Sequence, residues 1–393
     1  MSGFGAPLAG IKVVELARIL AGPWIGQTLA DLGADVIKIE SPNGDDTRSW
    51  GPPFLETVDG TDGDSAYFTA CNRGKRSIVI DIASDAGRQA AAKLIGQCDV
   101  VIENFKVGGL TKYGLDYPTL QHQFPQLIYC SVTGFGQDGP YAHRAGYDYM
   151  IQGMSGIMDL TGEPDGEPQK IGVAFADIFT GLYGVIAIQA ALQARTATGQ
   201  GQHIDMALLD SMVAVLANQN MNYLVSGHSP RRLGNAHPNI VPYQVFQVAD
   251  GQMVIAVGND RQFTKLCAVI DCPELAEQPA YSSNPARVKN RDSLLSELCP
   301  RLLNWTRIEL LAALERAGVP AGPINSVADI HQDPQIAHRH LVQQLAMPGL
   351  ANGALPTVAS PIKFSQSCTV ANRPPPQLGE HSAEIAEEFG LNL

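Results

Sequence analysis

Residues 11–40 read IKVVELARILAGPWIGQTLADLGADVIKIE, and this stretch decides the fold. Residues 11–16 (IKVVEL) are a short apolar run with β-branched side chains, which predicts a strand. Gly22-Pro23 then opens WIGQTLADLGA, with proline in the first turn and glycine at the end, the marks of a helix. Residues 35–40 (DVIKIE) predict the next strand. Strand, helix and strand in this order argue a parallel sheet buried on both faces, and so a doubly wound α/β fold.

The pattern continues along the chain. Residues 77–82 predict a strand, with Arg73, Lys75 and Arg76 crowding its entrance; residues 86–97 predict a helix. Residues 100–104 form another strand ending in ENF, and residues 127–132 (LIYCSV) a further one. Between these units lies a polar loop, 41–67, holding Asp45, Asp46, Arg48 and Trp50; long loops tend to be functional or mobile. A helical pattern starts at Tyr147, turn-forming residues fill 161–169, and a second helix is expected over 207–225.

Composition shifts near Ser226. YQVFQVADGQMVIAVG reads as a β-hairpin turning at Asp-Gly, followed by short helices at 262–270, 293–302 and 307–317. The expected organisation is a large domain from 1–225, a smaller α+β domain over 226–320, and a segment 321–393. That segment opens on a stiff linker (VPAGP, 319–323) and carries a strand at 362–365, a proline run and a final helix.

A chain of 393 residues is too long for one ordinary core, and 45% apolar with 17% charged residues describes a globular chain. The net charge of −12 argues against binding nucleic acid or an acidic membrane surface. No stretch was long and apolar enough to predict a membrane span, and Lys12, Glu15 and Arg18 break the N-terminal apolar run, so no signal peptide is expected. Seven scattered cysteines suit a reducing cytoplasm better than a disulfide framework.

One carboxylate stands out. In IGVAFADIFTGLYG, Asp177 sits among small and apolar residues at the start of a helical period. An aspartate there can cap the helix, with free backbone N–H groups and the helix dipole favouring its ionised form. The alternative to this commoner role is a carboxylate open enough to attack a carbonyl. Other motifs fail their context tests. GFGQDG at 134–139 matches a dinucleotide turn, but Pro140 follows directly and no helix does. Gly74-Lys75-Arg76-Ser77 lacks the upstream glycine and the Ser/Thr of a phosphate loop. His331, Asp333, His338 and His340 have no recognised ligand spacing, so no metal is expected.

The landmarks LAGIKVVELARILAGP, LGADVIKIESPNGDDTR, NRGKRSIVID, DVVIENF, AGYDYMIQGMSGIM, GVAFADIFTGLYG, TGQGQHIDMALLD, GVPAGPIN and PPPQLGEH run from end to end. In order and spacing the chain resembles the class III CoA-transferases, the family of formyl-CoA transferase and carnitine CoA-transferase. The resemblance implies a Rossmann-like large domain made from both chain ends, a small middle domain, and two copies interlocked as linked rings. It implies coenzyme A and acyl-CoA as substrates, small carboxylic acids as partners in exchange, and no tightly bound cofactor. The family's catalytic aspartate falls on Asp177. Lys75, Arg76 and Lys112 match positions near the nucleotide portion of CoA, Asn104 one near the pantetheine, and Ile19 and Leu20 the stretch touching CoA beside the active site. For Lys75 and Arg76 the alternative is a solvated strand entrance.

Two departures set the chain apart from formyl-CoA transferase: Ser41 follows the VIKIE strand in place of arginine, and GNAHPNIVPY stands where the glycine-rich active-site loop would be. The related α-methylacyl-CoA racemases pair their aspartate with a histidine in GHD; here the motif is Gly146-Tyr147-Asp148, so that acid/base pair is incomplete. TRSWGPPF, RAGYDYM, AHPNIVPYQVF and RPPPQLGEH most resemble the branch that includes succinyl-CoA:glutarate CoA-transferase. That implies succinyl-CoA as donor and a dicarboxylate such as glutarate as acceptor. Arg48, Arg144, Arg231, Arg232 and His237 are candidate cations for its distal carboxylate, and Tyr147 a candidate substrate contact. The competing readings are a racemase-like enzyme, a nicotinamide-dependent oxidoreductase and a non-catalytic CoA-binding protein.

Overall fold

The computed structural model describes residues 5–370 and 372–393. Its strands are β1 (Lys12–Glu15), β2 (Asp35–Glu40), β3 (Phe54–Glu56), β4 (Asp62–Ser65), β5 (Lys75–Val79), β6 (Val100–Glu103), β7 (Ile128–Thr133), β8 (His203–Ala207), β9 (Tyr243–Val248), β10 (Gly251–Ala256), β11 (Ala321–Pro323), β12 (Val342–Ala346) and β13 (Ala354–Val358). Two compact units divide the chain. One takes the chain up to Ile157, Lys170–Ser226 and Gln335–Leu393; the other takes Met158–Gln169 and Gly227–Pro334.

The first unit is built on a six-stranded sheet in the order β5-β2-β1-β6-β7-β8, every pair parallel. Counting only these strands, the order is 3-2-1-4-5-6, the doubly wound arrangement. Successive side chains point to opposite faces. Val13, Val36, Val100 and Ile102 therefore join one core with Ile25 and Ile188, and Val14, Ile37 and Val101 join the other with Leu94 and Phe389. The first helix, Ala21–Asp31, ends at Leu32 with Gly33 at φ 100, a conformation open to glycine. Gly181, on the helix Phe175–Thr198, lets that helix press on the first: a Cβ there would lie 3.1 Å from the Ala21 carbonyl oxygen.

The chain end completes this unit. In the final helix, Ser382–Phe389, Ile385 and Phe389 pack into the second core, and Glu384 and Glu388 accept from Arg76 of β5 at 2.9 and 2.8 Å. The second unit has a three-stranded antiparallel sheet, β11-β10-β9, under helices that include Asp260–Val269, Arg291–Leu302 and Arg307–Ala317. Phe246, Met253, Phe263, Leu298 and Leu310 fill its core.

Several local expectations change. Residues 319–323 are not simply a linker: Ala321–Pro323 pair with Met253–Ile255, so 321–334 belong to the second unit. Met158–Gln169 belong there too, where the Asp159 carboxylate pairs with Arg232 at 3.0 Å. Residues 362–365 form no strand. The late strands are β12 and β13, an antiparallel hairpin turned by Gly353 at φ 68. Pro356 hides β13 from a sequence reading, and it is tolerated because a two-stranded sheet has open edges. The helix expected over 207–225 breaks at Ala217 (φ 46) into Leu208–Val215 and Asn218–Ser226. The long loop 41–67 holds a 3-10 turn, the β3–β4 hairpin and a short helix, Ala66–Thr69.

Under the C-terminal end of β1 lies a charged cluster. Glu15, Lys38 and Lys75 are fully buried; Glu15 pairs with Lys38 at 3.0 Å and Lys75 at 2.8 Å. Glu15→Ala leaves two buried ammonium groups undercompensated, so unfolding by urea should show a stability loss of about 3–5 kcal/mol. A loss below about 1 kcal/mol would mean that water reaches the lysines.

Candidate active site

In a doubly wound sheet, ligands bind at the C-terminal edge where the strand order reverses. Here that point is between β1 and β6. A cavity of about 730 Å³ opens there, lined by residues that follow β1, β6 and β7 and by the start of the helix Phe175–Thr198. Seven of the sequence-predicted residues meet in it: Ile19, Leu20, Asn104, Lys112, Arg144, Tyr147 and Asp177. Lys106 and Arg18, the latter also paired with Asp46 at 2.7 Å, add further cationic side chains to its lining.

Asp177 is the third residue of its helix and is half-buried. It does not cap the helix. The cap is Asp148, whose Oδ1 accepts from the backbone N–H of Ala176 at 2.8 Å and of Asp177 at 3.4 Å. Gln152 straps the approach: its Nε2 donates to Asp148 Oδ2 at 2.7 Å, and its Oε1 accepts from the Ile171 N–H at 2.9 Å. The free N–H groups that were to keep Asp177 ionised are thus occupied by a second carboxylate. Burial, and then the charge of Asp148, push the Asp177 carboxyl up to about 7.

The cavity floor after β1 is tightly held. The side chain of Asn104 accepts from the Arg18 N–H at 3.0 Å and donates to the Arg18 carbonyl at 2.7 Å. Ile19 has φ 73, an outlier for a β-branched residue. Its N–H lies 3.3 Å from both carboxylate oxygens of Asp45, and its carbonyl accepts from the Cys71 thiol at 3.5 Å. On the opposite rim Gly134 and Gly146 cross so closely that a Cβ on Gly134 would lie 2.6 Å from the Gly146 Cα. Arg144 there stacks over Phe135 and Tyr141, 5.2 and 4.6 Å from the ring centres.

Other predicted residues lie away from the cavity lining. Lys75 is fully buried, donating to Glu15, to Asn72 Oδ1 at 2.8 Å and to the Pro23 carbonyl at 2.9 Å. Arg76 is held by Asp35, Glu384 and Glu388. Neither forms a solvated strand entrance, and neither guanidinium nor ammonium is open to a phosphate. Arg48 pairs with Glu40 at 2.7 Å and Asp64 at 2.6 Å and stacks on Phe68. His237 lies in the second unit, its Nδ1 accepting from the Asn239 N–H at 3.1 Å.

Sequence reasoning missed Asp148 as the cap, although Asp follows Tyr147 in the quoted motif. It also missed Lys106, whose signal is its place directly after ENF at the end of β6. Tyr67 carried no signal beyond lying at the end of a long loop. Its phenol is pushed up to about 12 by burial, with the Asp177 charge adding to it.

GFGQDG is a turn with two of its amides already taken. The Gly136 N–H donates to Thr133 Oγ1 at 2.9 Å and the Gln137 N–H to Asp205 Oδ2 at 2.8 Å, so neither is free to cradle a phosphate.

A family model described as CoA-transferase family III matches residues 8–382. The succinate–glutarate CoA-transferase of Agrobacterium fabrum is 55% identical over 384 residues, covering 98% of this chain and 96% of that protein. The human succinyl-CoA:glutarate CoA-transferase is 41% identical, covering 97% and 86% respectively. A crystal structure of a CAIB/BAIF family protein from Brucella suis superposes with a TM-score of 0.85 at 60% identity, covering 98% of this chain and all (100%) of that one. With nearly its whole length matched, and a lone carboxylate on the wall of its switch-point cavity, this chain belongs to CoA-transferase family III.

Proposed function

We propose that this enzyme moves CoA from succinyl-CoA to a dicarboxylic acid such as glutarate, with Asp177 as the nucleophile. The observation that carries the reading is the single half-buried carboxylate of Asp177 in a cavity whose other charged lining groups, Arg18, Lys106, Lys112 and Arg144, are cations. CoA brings a diphosphate and a 3′-phosphate, which such cations suit. The choice of acids follows the named relatives, at 55% and 41% identity.

The Asp177 carboxylate attacks the thioester carbonyl of the donor, and the C–S bond breaks to give an acyl-aspartyl anhydride and CoA thiolate. The thiolate attacks the Asp177 carbonyl, releasing the donor acid and leaving an aspartyl-CoA thioester. The acceptor carboxylate then attacks that thioester and its C–S bond breaks, giving a second anhydride and CoA thiolate; the thiolate attacks the acceptor's acyl carbonyl, forms the new acyl-CoA and expels the Asp177 carboxylate. Free Asp177 is regenerated. No proton moves in the balanced exchange, which suits a cavity without an acid/base partner at Tyr147. A racemase reading needs an imidazole there, and Asp148 is engaged in capping. The nicotinamide reading loses its phosphate turn to Thr133 and Asp205.

We further place the enzyme in the cytoplasm as a homodimer of interlocked copies. All seven cysteines are free thiols, which fits a reducing compartment. Among the described residues one helix, Phe175–Thr198, is long and apolar enough to cross a membrane. One side of it packs into the sheet core through Val185, Ile188 and Ala191. Its other side leaves Ile186 62% exposed, and the helix Asn218–Ser226 leaves Leu224 70% exposed. The helix Asn218–Ser226 has no buried residue at all, and apolar groups left open on both helices suit a second copy of the chain.

Asp177→Ala should lose at least about 1,000-fold in CoA transfer from succinyl-CoA to glutarate, because the covalent route is closed. Hydroxylamine treatment after acyl-CoA exposure should mark Asp177 by mass spectrometry. Transfer at the parental rate in the variant would remove Asp177 from the reaction. The wild-type rate should also depend on pH. A carboxyl pushed up to about 7 is protonated and inert below that pH, so kcat/KM should fall about tenfold per unit below 7 and level off above it. A limb centred near 4 would show that the carboxyl is not raised in the free enzyme. In solution the 42.0 kDa chain should sediment as a dimer, and Ile186→Glu with Leu224→Glu should shift it towards the monomer. A wild-type monomer at micromolar concentration would sink the assembly.

A further inference from the structure

The turn that leads from β1 into the first helix is held more firmly than a connecting loop requires. Arg18 and Ile19 have four backbone polar groups between them, and three side chains from distant parts of the first unit bind all four. Asn104 takes both groups of Arg18; Asp45 takes the Ile19 N–H and Cys71 donates to the Ile19 carbonyl. Asp45 is itself fixed by Lys38 at 3.0 Å and by the Thr47 N–H at 3.0 Å. Both Asp45 and Cys71 are buried. At the centre sits Ile19 at φ 73, a conformation that a β-branched side chain adopts only when its surroundings over-determine it.

The turn decides where the first helix begins. Leu20 and Ala21, directly after it, line the cavity together with Asp177. The Ala21 carbonyl and the Trp24 side chain press on Gly181, one helical turn beyond Asp177. If Ile19 relaxed to negative φ, the chain would leave β1 in another direction and the contact at Gly181 would open.

We propose that Asp45 and Cys71 are positioning residues that hold Ile19 left-handed, and that this strained turn sets the cavity wall beside Asp177. Neither touches substrate; both act through the Ile19 backbone. The thiol suits the task as a donor, since burial pushes it up to about 12 and keeps its proton in place. The inference rests on Asp177 being the reacting group.

The test asks whether the strain is what these side chains carry. Glycine takes φ near +73 without penalty, so Ile19→Gly removes the need for a clamp. Asp45→Ala, which removes the acceptor that Asp45→Asn would keep, should lower kcat about tenfold with a smaller change in CoA affinity, and in an Ile19→Gly background the same substitution should lower kcat less than about threefold. Equal losses in the two backgrounds would overturn the proposal, since they would mean that Asp45 serves only to balance Lys38. Should Asp45→Ala fail to show a cooperative melt, the Cys71 variants decide. Cys71→Ala should lose more than Cys71→Ser, which keeps a donor, and this gap should close in the Ile19→Gly background. Serine and alanine losing alike would overturn it too. CoA affinity by calorimetry is read in parallel on every variant and needs no turnover. If Asp177→Ala still transfers CoA, the functional reading has failed, whereas the Asp45–Ile19 coupling is still decided by the rates and affinities of the wild-type pair.

Discussion

Three charged side chains with no access to water hold this structure at its most important corner. Glu15, Lys38 and Lys75 come from three neighbouring strands, β1, β2 and β5, and meet under the start of the first helix. Removing such charges from water costs several kcal/mol each, and only near-complete pairing offsets that. The pairing extends outward in every direction: to the Pro23 and Ala17 carbonyls, to Asn72, and to Asp45. Gly26 is glycine because a Cβ would lie 1.9 Å from Glu15 Oε2. The cluster therefore ties sheet, first helix and the Ile19 turn into one block. The geometry of the cavity is an outcome of charge balance beneath it.

Within the cavity the opposite principle operates. Asp177 is not stabilised by its helix start, because Asp148 already holds the amides there. Two carboxyl groups share a helix N-terminus that satisfies one of them. The one left over is raised in pKa, and a more basic carboxylate is the stronger nucleophile once ionised. Of the two explanations of Asp177 that compete in the sequence, capping belongs in the structure to Asp148.

What could be read from the sequence depended on how local the signal was. The opening strand, helix and strand are specified by β-branched runs, Pro23 and Gly33, all within thirty or so residues, and they are found as expected. Asp177, in a motif of small residues, is found on the cavity wall. Lys75 and Arg76 match family positions near CoA, and nothing local signals their burial, because their partners, Glu15 and Asp35 on other strands and Glu388 near the chain end, lie far away in sequence. The same distance hid β11, which is a strand only because β10 offers an edge. Arg48 looked free for the same reason, and is bound by Glu40 and Asp64.

The chain end has a consequence for how the protein is made. The sheet of the first unit has all six strands once residue 207 has left the ribosome, but β5 lies at its edge and still lacks the final helix. Until residues 382–389 emerge, Arg76 has one of its three carboxylates, and one sheet face lacks Ile385 and Phe389. The second unit, most of it in Gly227–Pro334, is synthesised in between and has its own core. The order of synthesis thus differs from the order of completion: the second unit can close first, and the one that carries the switch-point cavity must wait for residues 382–389.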